Sequence, residues 1–147
     1  MAAIDKVQEL VGTELGVGDW HEVTQDQINL FADATGDHQW IHVDPDRAAQ
    51  GPFGTTIAHG YLTLSLIPAL GGGGLPIEGA KMGINYGLDR VRFIAPVPAG
   101  TKVRARRKLV EAKEGEGFVQ LKTEVTVEIE GKNKPACVAE TLSRVYF

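Results

Sequence analysis

A single cysteine, Cys137, stands among the 147 residues. That excludes a disulfide framework within the chain and fits a reducing, cytoplasmic setting. Cys137 lies in an alternating run near the C-terminus and reads as a small buried hydrophobe rather than a nucleophile. Long apolar runs are missing too. The longest, residues 61–70, is too short to span a bilayer and reads as part of a core helix, so no membrane partner is expected. The N-terminal residues carry neither the basic nor the apolar region of a signal peptide. An excess of positive charge is absent as well. Fifteen Lys and Arg against 19 Asp and Glu leave a formal net charge of −4, which argues against a general nucleic-acid binder.

The rest of the composition, 43% hydrophobic and 23% charged, is that of an ordinary globular protein. Residues 1–147 suit one domain, with no internal repeat or linker. A chain near this length buries roughly 68–70% of its unfolded surface and needs no disulfide or metal to fold.

Periodicity sets the order of elements. Thr24 and Gln27 have the spacing of a capping box, and Ile28, Phe31 and Ala32 follow at helical intervals until Gly36. Residues 37–59 contain Pro45, Gly51, Pro52 and Gly54 and read as a long irregular segment of the kind that carries function. Residues 60–70 are apolar on nearly every side, which predicts a buried helix that Pro68 distorts or ends. Four consecutive glycines, 71–74, predict a flexible loop or hinge. Neither the spacing nor the Lys-Ser/Thr of a phosphate-binding loop accompanies them.

From residue 81 the period becomes two. Met82, Ile84, Tyr86 and Leu88 alternate, then Val91 and Phe93 take the opposite parity, which predicts a bulge near Asp89 and Arg90. Strands around 103–109, 119–129 and 136–147 follow, separated by Gly-rich turns. Helices first and strands after predict an α+β fold with an antiparallel sheet of four or five strands. The open edges of such a sheet need cover, and pairing with a second copy is a common solution.

Chemistry concentrates in one place. Asp37 precedes His42 by five residues, and Gly60 opens the apolar helix eighteen residues further on. A carboxylate and an imidazole can jointly hold and activate water, because an imidazole titrates near working pH. The first N–H groups of a helix are unpaired and sit at the positive end of its dipole, so Gly60 is placed to stabilise an oxyanion. Each residue also has a structural reading. Asp37 after Thr35 and Gly36 suits a turn, His42 suits a satisfied core histidine, and His59 suits a cap. Their concurrence favours the chemical reading.

The run Thr35-Gly36-Asp37, His42 five residues beyond, and the later His59-Gly60 resemble the MaoC-like (R)-specific enoyl-CoA hydratases, as does Val91-Arg92-Phe93 followed by Pro96-Val97. The similarity covers residues 20–147 and lies nearest the single-hotdog bacterial members. It implies a hotdog fold, a curved antiparallel sheet wrapped around a long central helix, usually as a homodimer. It implies Asp37 and His42 as catalytic residues, Gly60 as the oxyanion donor, and an enoyl-CoA thioester as substrate. No cofactor or metal is implied beyond the coenzyme A of the substrate. Gln39 and Trp40 stand where the family usually has Asn and Pro. The amide of Gln39 keeps the substrate-binding chemistry, and Trp40 is expected to reshape the pocket wall.

Four rivals accompany this reading. A hotdog acyl-CoA thioesterase often has an acid on the central helix, and none follows Gly60 before Glu78. A dehydratase acting on acyl-carrier protein would use the same dyad. A metal site would draw on His38, His42, His59 and Asp44 or Asp46. A non-catalytic acyl-binding module would not need Asp37, His42 and Gly60 together. For the CoA phosphates, Arg90, Arg92, Arg104, Arg106, Arg107 and Lys108 are candidates, each equally readable as a solvated or ion-paired residue.

Overall fold

The computed structural model describes residues 3–75 and 77–147. In chain order these form α1 (Ala3–Glu9), β1 (Glu14–Val17), β2 (His21–Glu22), α2 (Gln25–Thr35), α3 (Trp40–Val43), α4 (Pro45–Ala49) and α5 (Gly60–Leu66). A 3₁₀ turn (Ile67–Leu70) and four long strands follow: β3 (Met82–Phe93), β4 (Lys102–Gly115), β5 (Phe118–Ile129) and β6 (Cys137–Tyr146). The sheet is antiparallel, ordered β1-β4-β5-β6-β3, with β2 also pairing β4. The expected α+β class holds. β1 and β2 raise the strand count to six, and α1, β1 and β2 are elements that periodicity did not reveal.

The sheet sorts its side chains by parity. Val119, Leu121, Thr123, Val125, Val127 and Ile129 of β5 are all buried, while the alternate residues stay in partial contact with water. On β4 a register shift between Leu109 and Glu111 returns Ala112 to the buried face beside Leu109. β3 shifts register twice, between Asn85 and Gly87 and between Leu88 and Arg90, the second at the expected phase change. Each bulge bends its strand and increases local twist.

Over the inner face lies α5. Leu62, Ile67 and Leu70 join Val103, Ala105, Val125, Val127 and Ala139 in the main core. Cys137 belongs to that core, fully buried, with burial pushing its thiol up to about 11. A second cluster seats Val7 of α1 against Leu109, Ala112, Val119 and Leu121. No helix among the described residues is long and apolar enough to cross a membrane.

The central helix differs from expectation in two respects. Its α-helical part stops at Leu66, and the Pro68-containing turn completes it as 3₁₀, because proline cannot donate the next helical bond. It is also not buried all round. Tyr61, Ser65, Pro68 and Ala69 face outward, Tyr61 with 68% of its surface exposed. The apolar sequence exceeds what one sheet face can cover.

The four glycines form the expected loop, but close packing rather than free movement accounts for two of them. A Cβ on Gly72, whose φ is +78°, would lie 2.2 Å from the Gly18 nitrogen. One on Gly73 would lie 2.6 Å from Arg107 Cδ. The Arg107 guanidinium reaches the carbonyls of Gly71, at 2.8 Å, and Ile67, and so satisfies acceptors left over at the end of the central helix. Gly74 has open space around its α-carbon. Gly72→Ala is therefore expected to lower unfolding free energy by about 2–3 kcal/mol or more, and Gly74→Ala to be neutral or to stabilise by up to about 1 kcal/mol. Equal effects in denaturant titrations would contradict the packing account.

Candidate active site

α2 carries the chain to the site. Thr24 caps it, its hydroxyl accepting from the Gln27 N–H at 3.1 Å. The expected return bond of the capping box is not made, because Gln27 Oε1 lies 2.9 Å from His21 Nε2 instead. Gly36 ends the helix in the left-handed region, φ 83°, where glycine is unstrained. Asp37 thus emerges at the helix end, exposed, with Oδ1 accepting weakly from the Gln39 N–H at 3.4 Å.

The segment read as irregular folds into two short helices. α3 is a single turn holding His42, and Asp44 ends it and caps α4, accepting from the Arg47 N–H at 3.1 Å. Pro45 follows in the first turn of α4, where a missing N–H costs nothing.

His42 is 7% exposed. Its Nδ1 donates to the Ile57 carbonyl at 2.7 Å, which leaves the Nε2 lone pair as the free acceptor. Burial holds this imidazole below its ordinary range. The Ile57 bond opposes that shift, nearby His59 reinforces it, and Asp37 opposes it. Gln25 fixes the backbone of His42, its Nε2 donating to the His42 carbonyl at 2.8 Å while its Oε1 accepts from the buried Thr56 hydroxyl.

His59 completes the group. It is 2% exposed, and its ring stacks on His42 with centroids 3.9 Å apart and planes at 23°. Its Nε2 donates to the Asp37 carbonyl at 2.9 Å. Asp37, His42 and His59 each offer a ligand-type atom within 4.8 Å of the others. Two hydrogen bonds of ordinary length span such a gap, so one water can bridge the carboxylate and an imidazole. His59 is immediately followed by Gly60 at the start of α5, whose first N–H groups have no acceptor within the helix.

The structure thus brings together Asp37 and His42, and sets Gly60 beside His59. Packing adds a reason for Gly60: a Cβ there would lie 2.8 Å from the Phe93 ring of β3. Gln39 enters the hydrogen bonding of the site through its main chain. Its side chain is exposed, and its bonds are backbone ones, N–H to Asp37 and carbonyl to the His42 N–H at 3.0 Å. Trp40 packs close to Gly51 and lies under the Arg47 guanidinium at 4.4 Å. It thereby ties α3 to α4 and the loop after it. Gln25 and Thr56 escaped sequence reasoning, since neither belongs to a spacing that marks a site.

The metal reading loses two of its proposed members. His38 pairs with Asp33 at 2.9 Å on the surface, which holds its imidazole above the ordinary range, and Asp44 is engaged as a cap. Asp37, His42 and His59 keep one ligand atom each within 4.8 Å of the others, while His42 Nδ1 and His59 Nε2 are each engaged with a main-chain carbonyl.

Residues 6–133 match the family model described as MaoC like domain, and the chain belongs to this family of hydratases and dehydratases. It is 55% identical over 148 residues to 3-hydroxyacyl-thioester dehydratase Z of Mycobacterium tuberculosis, covering 98% of each chain. It is 51% identical to Nodulation protein N of Rhizobium leguminosarum, covering 96% of this chain and 89% of that one. Among solved structures it resembles the (R)-hydratase from A. caviae involved in PHA biosynthesis, at 27% identity and a TM-score of 0.70, covering 90% and 94%. The sheet with α5 on its inner face is the hotdog architecture.

Opposite environments give two of the histidines opposite titrations. NMR of the ring resonances should place His42 below 6.5 and His38 above it. As pH falls through 6.5 the unfolded chain takes up a proton at His42 before the folded one does, so this residue withdraws stability on the acid side. Titration of His42 above His38 would overturn the burial argument.

Proposed function

We propose that this MaoC-like enzyme adds water across C2–C3 of a trans-2-enoyl-CoA to give the (3R)-3-hydroxyacyl-CoA, and runs the reverse elimination. The observation carrying this reading is the juxtaposition of the Asp37 carboxylate and the His42 imidazole within 4.8 Å. Water sits between them. His42 Nε2, its lone pair free, takes a proton as the oxygen adds to C3, while Asp37 accepts the hydrogen bond of the second O–H. The dyad returns a proton to C2 and ends the turnover as it began. Charge developing on the thioester oxygen is held by the Gly60 N–H. Addition of water leaves the redox balance unchanged, and acid–base groups carry its protons, so this route uses no metal or redox cofactor.

Acyl space has a candidate one helical turn beyond Gly60. A cavity of about 450 Å³ is lined by Leu64, Ile67, Tyr86 and Leu88, with Asn85 and Arg107 among its polar groups. The basic residues weighed for the CoA phosphates differ in their pairing. Arg104 and Arg106 are paired with Glu128, Arg106 also with Glu14, and Arg107 caps the central helix. Arg90, Arg92 and Lys108 are paired with no carboxylate among the described residues. The buried single thiol supports a reducing, cytoplasmic setting.

A second reading runs the dyad as a dehydratase on a thioester of acyl-carrier protein. The dehydratase name of the 55% identical relative favours the elimination direction and leaves the carrier unspecified. Thioesterase chemistry lacks its acid, since neither α5 nor the 3₁₀ turn carries one. Asp37→Asn and His42→Gln should each reduce kcat for enoyl-CoA hydration by about 10²-fold or more, followed as loss of the conjugated thioester absorbance. Near-wild-type turnover by either folded variant would sink the assignment. Faster elimination from the carrier-protein substrate than from its CoA counterpart would select the second reading.

The working unit in this reading is a homodimer. β3 is a twelve-residue sheet edge carrying exposed Met82, Ile84, Tyr86 and Leu88. A long apolar edge of that kind pairs unless something covers it. Light scattering should give a dimer for the wild type and a folded monomer for the double variant Ile84→Lys, Leu88→Lys. A monomeric wild type, or a dimer unchanged by both lysines, would remove β3 as the contact.

A further inference from the structure

His59 is used by none of the steps above, yet it touches every part of the site. Its N–H meets the Asp37 carbonyl, its ring lies on His42, and its own peptide link leads into Gly60. On the other side Phe31 of α2 closes over it at 4.9 Å, so the ring has little room to turn. We propose that His59 is a positioning residue that clamps the Asp37 loop to the His42 ring, fixing the separation across which the dyad holds its water. The inference rests on the hydration–dehydration reading of the site.

Geometry gives the clamp its necessity. Asp37 is exposed, just beyond a helix end, and the bonds holding its segment are few. The side-chain contact with the Gln39 N–H, at 3.4 Å, is long. The 2.9 Å bond from His59 is therefore the firm tie between this loop and the buried half of the site. It reaches the loop through a main-chain carbonyl, so the carboxylate of Asp37 stays available. The donating tautomer also leaves Nδ1 buried without a partner, an arrangement that a purely structural histidine would be expected to avoid. Charged and titratable neighbours of the His42 ring are Asp37 from the preceding loop and His59 from the following one. α2 contributes the neutral Gln25 and Phe31.

Two substitutions separate the bond from the ring. His59→Phe keeps an aromatic face for His42 and removes the N–H, whereas His59→Gln restores an N–H donor without an imidazole. Displacing a reacting group by about 1 Å can cost about 10²-fold. His59→Phe is expected to lower kcat for an enoyl-CoA at least about tenfold with KM changed by less than about twofold, and His59→Gln to recover most of that loss. The acid limb of the pH–rate profile should move upward in both variants, because the neighbouring imidazole that helps hold His42 low is gone. A residue serving only stability would lower the melting temperature and leave kcat of the folded variants unchanged. Should His59→Phe fail to fold, His59→Gln still decides, since a clamp made by the N–H keeps most of the wild-type kcat there. Wild-type kcat in folded His59→Phe, or no recovery in folded His59→Gln, would overturn the clamp while Asp37→Asn remained inactive. A wild type inactive on every enoyl thioester would instead bring down the underlying reading.

Discussion

The hydrogen bond from His42 Nδ1 to the Ile57 carbonyl, 2.7 Å long and buried, decides which nitrogen faces the site. A histidine on a surface turn would exchange tautomers freely. Here the carbonyl selects one, and burial disfavours the cation that would carry protons on both nitrogens. The bond depends in turn on the segment after α4 returning alongside α3, where the Ile57 N–H donates to the Ile41 carbonyl at 3.0 Å. The two residues flanking this contact, Thr56 and Ala58, are buried and tied respectively to Gln25 and to the Val97 carbonyl. The acid–base character of His42 is thus set first by burial and main-chain architecture over some twenty residues, with His59 and Asp37 acting in opposite directions upon it.

That architecture stands on the contact between α5 and the sheet. Leu62, Ile67 and Leu70 bury one side of the helix against β4, β5 and β6, which fixes where its N-terminus points. Its other end is closed by Arg107 reaching from β4 to the last carbonyls. A cation is favourable there because helix C-termini carry partial negative charge. Burial lowers the pKa of this guanidinium, and it remains charged because arginine starts so high. Gly71 to Gly73 then pass so close to Gly18 and Arg107 that side chains on Gly72 and Gly73 would collide with them. The helix is held at both ends before any substrate arrives.

Much of this was legible in the chain, and the exceptions have a common cause. β5 announces itself because every second residue from Val119 to Ile129 is apolar except Thr123, and the β3 bulge because parity changes at one point. Asp37, His42 and Gly60 could be singled out because their types and spacing are distinctive. α1, β1 and β2 could not, since they are two to seven residues long and their reason for existing is β4, some ninety residues away in sequence. Gln25 was silent for the same reason, and His59, though singled out beside Gly60, had no role assigned to it. Both act on main-chain carbonyls seventeen and twenty-two residues distant, and a carbonyl has no letter in the sequence. The contacts of Trp40 with Arg47 and Gly51 were not legible either, since they join residues brought together only by the α3–α4 turn.

Gly60 joins these two scales. Its lack of a side chain admits the Phe93 ring, and Phe93 meets Tyr61 edge-on with centroids 5.8 Å apart. Phe93 is the last residue of β3, the open edge of the sheet, and both aromatics remain substantially exposed. A partner covering that edge would press on the same ring that rests against the N-terminus of α5. The donor proposed for the thioester oxygen and the contact proposed for assembly are therefore separated by one aromatic side chain. Because packed side chains transmit displacement rather than absorb it, a change that frees Phe93 would loosen the oxyanion position even with Asp37 and His42 untouched. The site then has two supports of different origin: a dyad fixed within the chain by main-chain hydrogen bonds, and a helix end whose remaining freedom is taken up from the edge of the sheet.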